Sequence, residues 1–233
     1  MAFLRRNLAD LSSSDSDSEE APSKPKKQKE NKDSVNDDRK PKVDNKSDST
    51  PASHWTQGLI VALRDHSAIV CEDETIAIIK DKYPKAKHHY LVMPKDVRLR
   101  SLHVLSHNKD WGTFQHIKKK GNELKEKLMK ENPRLRFRFG FHASPSMVPL
   151  HAHLISQDFD SPCMKNKKHW NSFTTEFFRD FEDVEEELRE KGCVAKRDHK
   201  WLEDLLKKEL KCHVCDKKFT TIPALKEHIK SHR

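Results

Sequence analysis

No apolar run in this 233-residue chain approaches the ~20 residues a membrane-spanning helix needs. A membrane role is not expected. The opening Met1-Ala2-Phe3-Leu4-Arg5-Arg6 lacks the apolar core of a secretory signal, so export is not expected either. Cysteine is scarce and odd in number, five in all, which argues against a disulfide framework in a chain without such a signal. Cys71, Cys163 and Cys193 read as ordinary thiols. Aromatic residues are missing between Phe3 and Trp55. A stretch with so little to bury cannot offset its ordering entropy, so residues 1–52 read as a disordered charged tail.

What the tail does hold is charge. Ser12-Ser13-Ser14-Asp15-Ser16-Asp17-Ser18-Glu19-Glu20 is an acidic serine tract, and Lys24-Pro25-Lys26-Lys27-Gln28-Lys29 is a basic cluster. The pair reads as a nuclear-import signal beside phosphorylatable serines, or as a solvated tail. Over the whole chain 36% of residues are charged and the formal net charge is +9. That excess favours polyanionic partners, chiefly nucleic acid.

Folded structure is expected from Ser53, a plausible helix cap, with Trp55, Leu59 and Leu63 on one helical stripe. Trp55 either anchors that helix or offers a platform for a terminal base. Strands are expected over 68–72 and 75–80 around an Asp73-Glu74 turn, and over 89–94, stopped by Pro94. His103 to Lys130 reads as helix with weak breaks near Gly112 and Gly121. Its stripe Phe114, Ile117, Leu124 and Leu128 faces a sheet, and Lys118, Lys119, Lys120, Lys125 and Lys127 make the other face basic. Arg134 to Phe139 alternates as a strand. Thr174 or Thr175 is expected to cap a helix through Lys191, with Phe177, Phe181, Val184 and Leu188 inward and Gly192 at its end.

Two motifs carry chemistry. Leu150-His151-Ala152-His153-Leu154-Ile155 reads as a strand whose alternation puts His151 and His153 on one face. His142 closes the apolar run before it, and Ser144-Pro145-Ser146 forms a polar turn able to aim backbone N–H groups at an anion. Paired imidazoles suit attack on phosphorus with protonation of a leaving group; His-x-His on a strand equally suits zinc. The second motif is Cys212-x2-Cys215-x12-His228-x3-His232, with Phe219 and Leu225 at its small-core positions. Two thiolates and two imidazoles close a tetrahedral site, so this zinc is structural. The base-reading positions, Thr221, Ala224 and Glu227, are weak readers, which points to a grip on DNA backbone and shape.

The strand Leu150–Ile155 resembles the histidine-triad signature of nucleotide hydrolases and transferases. The continuation Ser156-Gln157-Asp158-Phe159-Asp160-Ser161-Pro162-Cys163, then Lys165-Asn166-Lys167-Lys168-His169-Trp170-Asn171-Ser172-Phe173, resembles the aprataxin family, over roughly His54 to the C-terminus. The resemblance implies His151 as nucleophile, His153 as the last triad histidine and His142 as leaving-group acid. The first triad histidine is replaced by Pro149, so its orienting role is absent or supplied by another group. Asp81 matches the acidic residue that holds the ribose hydroxyls, although by spacing alone a turn aspartate is the better explanation. Ser146 is expected on the phosphate, and Lys168 in a phosphate-binding segment.

The expected fold is α+β: an antiparallel sheet with covering helices, then a small C2H2 finger. Residues 1–52 form the tail, 53–192 the histidine-triad domain with its C-terminal helix, and 193–233 a linker helix and finger. The implied function is hydrolysis of AMP from 5′-adenylated DNA ends in the nucleus, through an adenylyl-histidine. Ends capped at the 3′ side with guanylate are a further candidate substrate. DNA-repair proteins are candidate partners of the tail. A hydrolase of small AMP conjugates and an inactive DNA-end adaptor are the alternatives.

Overall fold

The computed structural model describes residues 58–65 and 67–232. The tail, Ser53 and Trp55 lie outside these residues. A short helix, α1 (Gly58–Ala62), buries Leu59 beneath the first strands. β1 (Ile69–Glu72) and β2 (Ile76–Lys80) form a hairpin around Asp73. That carboxylate accepts the backbone N–H groups of Thr75 and Ile76, both at 2.9 Å, which is the local bonding that makes aspartate a turn former. β3 (His89–Pro94) pairs with β2 and ends at its proline, as expected.

α2 (His107–Glu131) runs unbroken for 25 residues. The weak breaks expected at Gly112 and Gly121 do not occur. Gly121 has a packing cause: a Cβ there would stand 2.1 Å from the Phe139 ring. The missing side chain lets α2 approach the sheet. Phe114, Ile117 and Leu128 are buried and Leu124 is partly buried, as the stripe requires. The basic face is less free than its composition suggests. Lys118 pairs with Glu185 at 2.5 Å and Lys120 with Asp73 at 3.3 Å.

β4 (Phe137–His142) starts later than the alternation from Arg134 suggests and carries on to His142. β5 (Ala152–Ser156) lies between β3 and β4. α3 (Lys167–Thr174) is capped by Asn166, whose side chain accepts the His169 N–H at 2.9 Å. Neither Thr174 nor Thr175 caps a following helix; Thr174 ends α3. Instead β6 (Phe178–Asp180) pairs with β4, and Phe177 falls outside any helix. The close β4–β6 approach needs Gly140, whose Cβ would lie 2.1 Å from the Arg179 carbonyl oxygen. α4 (Phe181–Lys191) then begins, and Gly192 ends it at φ 73. The sheet order is β1-β2-β3-β5-β4-β6, every pair antiparallel.

α5 (His199–Lys207) is capped by Asp198, which accepts the Trp201 N–H at 2.7 Å. A ribbon of β7 (Leu210–Lys211) and β8 (Lys218–Phe219) leads into α6 (Ile222–Ile229). This segment is not an appendage on a tether. Leu210, Cys212, Ile222, Leu225 and Ile229 share one buried cluster with Ile155, Phe159, Trp170, Phe173 and Phe178. The opposite face of the sheet is covered by α2 and α4, through Phe114, Ile117, Phe181, Val184 and Leu188 against Phe139, Phe141 and Leu154.

Candidate active site

Alternation along β5 sends Ala152 and Leu154 into the α2 core and leaves His153 on the face that α3 covers. His151, just before β5, and His142, ending β4, join it there. The ring centroids of His142 and His153 lie 4.3 Å apart, and those of His151 and His153 5.0 Å. Sequence reasoning missed a further member. His89, opening β3, stacks on His153 at 5.2 Å and is 4% exposed. Its position opposite Ile155 in the β3–β5 register is what brings it in, a pairing no local pattern reveals.

Hydrogen bonds set the tautomers. His151 Nδ1 lies 2.8 Å from the Pro149 carbonyl oxygen. A carbonyl only accepts, so Nδ1 carries the proton and Nε2 keeps its lone pair. The main chain of Pro149 thus orients the ring although its side chain is not histidine. His89 Nδ1 accepts the Lys85 backbone N–H at 3.2 Å. Its Nε2 therefore carries the proton and donates to His153 Nδ1 at 3.0 Å. His153 is left with its proton on Nε2, an atom that is buried and has no partner in the described residues. His142 Nε2 is likewise buried and unpartnered. Two imidazoles thus present unpaired, water-poor nitrogens beside the free Nε2 of His151.

Burial pushes every one of these imidazoles below its usual range. His89 falls to about 4, against a weaker upward pull from Asp81. His142 and His153 fall well below the usual value, burial first and the neighbouring imidazoles and Lys85 after it. His151 is lowered by burial, with the Pro149 carbonyl and Asp81 pulling upward. All four are neutral at pH 7, the state a nucleophilic imidazole needs.

Asp81 belongs to the cluster. Its Oδ2 lies 3.4 Å from His89 Nδ1, and its Oδ1 accepts the Tyr83 N–H at 2.7 Å. Ser146 is exposed on the loop between β4 and β5, with no hydrogen bond among the described residues. Lys168 is exposed in the first turn of α3, and the imidazole it acts on is His169, not the buried cluster. The cation whose field reaches His89, His142 and His153 is Lys85, in the β2–β3 loop, a residue the sequence reading did not single out.

That loop is held by the segment after β5. Asp158 Oδ1 accepts the N–H of Lys87 at 3.1 Å, and Ser161 Oγ donates to the Pro84 carbonyl at 2.5 Å. Lys226 of α6 donates to the Ser161 carbonyl at 2.7 Å. The run Ser156–Ser161 therefore works as scaffold for the cation-bearing loop.

The finger ligands converge as their spacing predicts. The donor atoms of Cys212, Cys215, His228 and His232 all lie within 4.8 Å of one another. His228 Nε2 stands 3.2 Å from Cys215 Sγ and 3.2 Å from His232 Nε2. Lone-pair donors pointing at a common centre fit a tetrahedral zinc ion. Thr221, which caps α6, and Ala224 and Glu227 on it are exposed, while Ile222, Leu225 and Ile229 are buried.

An antiparallel sheet presenting these histidines, with a zinc-finger fold built into its flank, defines a histidine-triad protein. The chain is a homologue of the aprataxins over more than three quarters of its length. It is 46% identical to aprataxin of Gallus gallus over 179 residues, 77% of this chain and 55% of the relative. It is 44% identical to aprataxin of Danio rerio, over 79% of this chain and 55% of the relative. The chain thus spans about half the length of these curated relatives. The family described as scavenger mRNA decapping enzyme C-term binding matches residues 54–169, and the C2HE / C2H2 / C2HC zinc-binding finger matches 174–233. Among solved structures, aprataxin ortholog Hnt3 in complex with DNA superposes with TM-score 0.60 at 25% identity, covering 76% of this chain and 92% of that one. Hnt3 in complex with DNA and guanosine gives TM-score 0.58 at 25% identity, with the same coverage.

Proposed function

We propose that this chain is a nuclear DNA-repair hydrolase that removes AMP from 5′-adenylated DNA ends left by abortive ligation. The observation that carries the reading is the His151–Pro149 contact of 2.8 Å, which leaves His151 Nε2 unprotonated beside two other imidazoles. His151 Nε2 attacks the AMP phosphorus in line. A P–N bond forms and the anhydride P–O bond to the DNA 5′-phosphate breaks. His142 gives its proton to the departing oxygen. Water then attacks the adenylyl-histidine, the P–N bond breaks and AMP leaves, with the water proton returning to His142. His153 donates from Nε2 to a non-bridging phosphate oxygen throughout.

His142 is neutral in the empty pocket, so its acid role requires proton uptake when an anionic phosphate arrives. Asp81 takes the ribose hydroxyls, Ser146 contacts the phosphate from its loop, and Trp55 supplies a platform for the terminal base. Lys168 holds DNA phosphates at the edge of the site. Lys85 is better placed than Lys168 to stabilise charge on the transferring group, since its field reaches the imidazoles. Zinc on Cys212, Cys215, His228 and His232 is structural, and the exposed Thr221, Ala224 and Glu227 favour contact with backbone and shape. The expectation of DNA as partner is supported by the Hnt3 complex. Repair proteins are proposed as partners of the tail, and residues 53–192 and 193–233 as the catalytic and finger modules.

The test is incubation of purified protein with 5′-adenylated nicked DNA, scored for AMP release and restored 5′-phosphate. Rapid release from DNA, and slower release from a small AMP ester, is expected. Turnover of the small ester with none of the DNA contradicts the substrate assignment.

A further inference from the structure

Phe173 of α3 is where the finger segment meets the histidines. Its ring stands edge-on to His89 at 5.3 Å and to His153 at 5.4 Å, and lies 4.6 Å from His142. Neighbouring rings reach only part of this set: Phe177 touches His142, and Phe178 touches His142 and His153. Phe173 is 3% exposed, so it closes the pocket to water on that side.

The helix carrying it is seated on the C-terminal segment. Trp170 Nε1 donates to the Lys211 carbonyl at 2.9 Å, one residue before Cys212. Asn171 Nδ2 donates to the carbonyls of Leu206 at 3.2 Å and Lys208 at 2.8 Å. Arg138 Nη1 donates to the carbonyl of Phe173 itself at 2.9 Å. Trp170 also packs on Phe159 at 4.8 Å and on His213 at 5.4 Å. These contacts leave α3 little freedom while the finger keeps its shape.

We propose that Phe173 is a positioning residue for the histidine cluster, and that α3 transmits the seat of the zinc finger to it. The finger is then part of the catalytic apparatus as well as a DNA contact. The inference rests on the reading of His151 as nucleophile. The physical case is packing. The His89–His153 pair keeps its directed hydrogen bond because both rings are held at an interplanar angle of 28° and kept dry. An edge-to-face aromatic contact fixes ring orientation as well as excluding water. Without Phe173, water can compete for the imidazole nitrogens, and the tautomer that aims a proton from His153 Nε2 is no longer enforced. A 1 Å misplacement remote from the reacting atoms can cost about 10²-fold in rate. The ionisable groups around these rings are Asp81, Lys85, His142 and His151.

The experiment uses the full zinc-loaded chain, Phe173→Ala, Phe173→Leu and Trp170→Phe. Turnover is measured on an aryl ester of AMP, so that DNA affinity plays no part, and histidine ring nitrogens are followed by 15N NMR. In Phe173→Ala, kcat should fall about 10- to 100-fold with KM within about threefold, and His153 should change from a single Nε2–H tautomer to a mixture. Phe173→Leu restores apolar closure and should recover most of both. Trp170→Phe keeps an aromatic ring but loses the bond to Lys211, and should move both readouts the same way by less. Should the alanine variant not fold, Phe173→Leu decides, with a partial fall in kcat and partial mixing. Wild-type kcat and a single tautomer in folded Phe173→Ala overturn the proposal, as they do in Phe173→Leu where the alanine variant does not fold. A wild-type chain that turns over no adenylate overturns the proposed function instead, and the tautomer readout then still judges Phe173.

Discussion

His89 Nε2 donates to His153 Nδ1 across 3.0 Å. The direction of that bond is fixed one step earlier, because His89 Nδ1 already accepts the Lys85 N–H at 3.2 Å. A backbone amide in the β2–β3 loop therefore decides which nitrogen of His153 faces the pocket with a proton. On the other flank the Pro149 carbonyl decides the tautomer of His151 at 2.8 Å. Main-chain groups thus set both rings, His151 directly and His153 through His89, and Pro149 orients the His151 ring without a histidine side chain.

The first prediction concerns His89. His89→Ala removes the donor to His153 Nδ1 and leaves a buried acceptor unpaired, which costs about 1–3 kcal/mol. AMP release should slow by one to two orders of magnitude. His89→Gln keeps an amide donor within reach and should recover part of the loss. Equal kcat for His89→Ala and wild type on a small AMP ester would show that the relay is idle.

Much of this was legible in the sequence. The alternation of Leu150–Ile155 put His151 and His153 on one face, and the Cys212–His232 spacing located the finger ligands. His89 and Lys85 were not legible, because strand register and the fold of the β2–β3 loop bring them to the cluster, and neither leaves a periodic mark. Phe177–Asp180 misled because Phe177, Phe181, Val184 and Leu188 fit a helical stripe. The pairing of Phe178 and Asp180 with β4, made possible by Gly140, wins over that periodicity. Gly121 misled in the opposite sense. A residue that disfavours helix is kept in α2 because only its missing Cβ admits the Phe139 ring.

The second prediction is a pH dependence of stability. His89, His142 and His153 are depressed in the folded state, His89 to about 4. Above pH 6.5 these imidazoles are neutral whether folded or unfolded and contribute no slope. As pH falls below 6.5 the unfolded chain binds protons that the folded chain refuses, so stability drops towards pH 4. The slope approaches about 1.4 kcal/mol per pH unit for each imidazole involved. Urea unfolding from pH 7.5 to 4.5 measures it, and replacing His89 with Gln should flatten the curve. Stability that rises with acidity over this window would contradict the burial of these rings in neutral form.

The third prediction concerns zinc. Cys212, Leu225 and Ile229 share a buried cluster with Ile155 and Phe173, so the finger and the sheet should unfold together. Zinc removal or Cys215→Ser should lower the melting temperature of the whole unit, weaken DNA binding and slow hydrolysis of a small AMP ester. Calorimetry should give one transition for the holo protein. Two well-separated transitions, with small-ester turnover untouched by chelation, would mean that the finger is an independent appendage.

The fourth prediction separates acid from nucleophile. His142→Ala should slow release of a 5′-phosphate leaving group by about 10²–10⁴-fold, the usual worth of a general acid. With a leaving group of low pKa the defect should shrink towards the wild-type rate. A defect of constant size across leaving groups removes the acid role from His142. Binding of AMP should also draw a proton from solution near neutral pH, because the anionic phosphate raises the depressed His142.

The central claim is that His151 Nε2 becomes covalently adenylylated. The direct measurement is rapid quench of the enzyme with 5′-adenylated DNA labelled at the AMP phosphorus, followed by denaturing gel and peptide mapping. A transient, acid-labile label on the peptide containing His151 is predicted in wild type and in His142→Ala. His151→Ala should show neither label nor AMP release while still binding DNA. A His151→Ala protein that releases AMP at the wild-type rate, or a label mapping to another residue, would contradict the account.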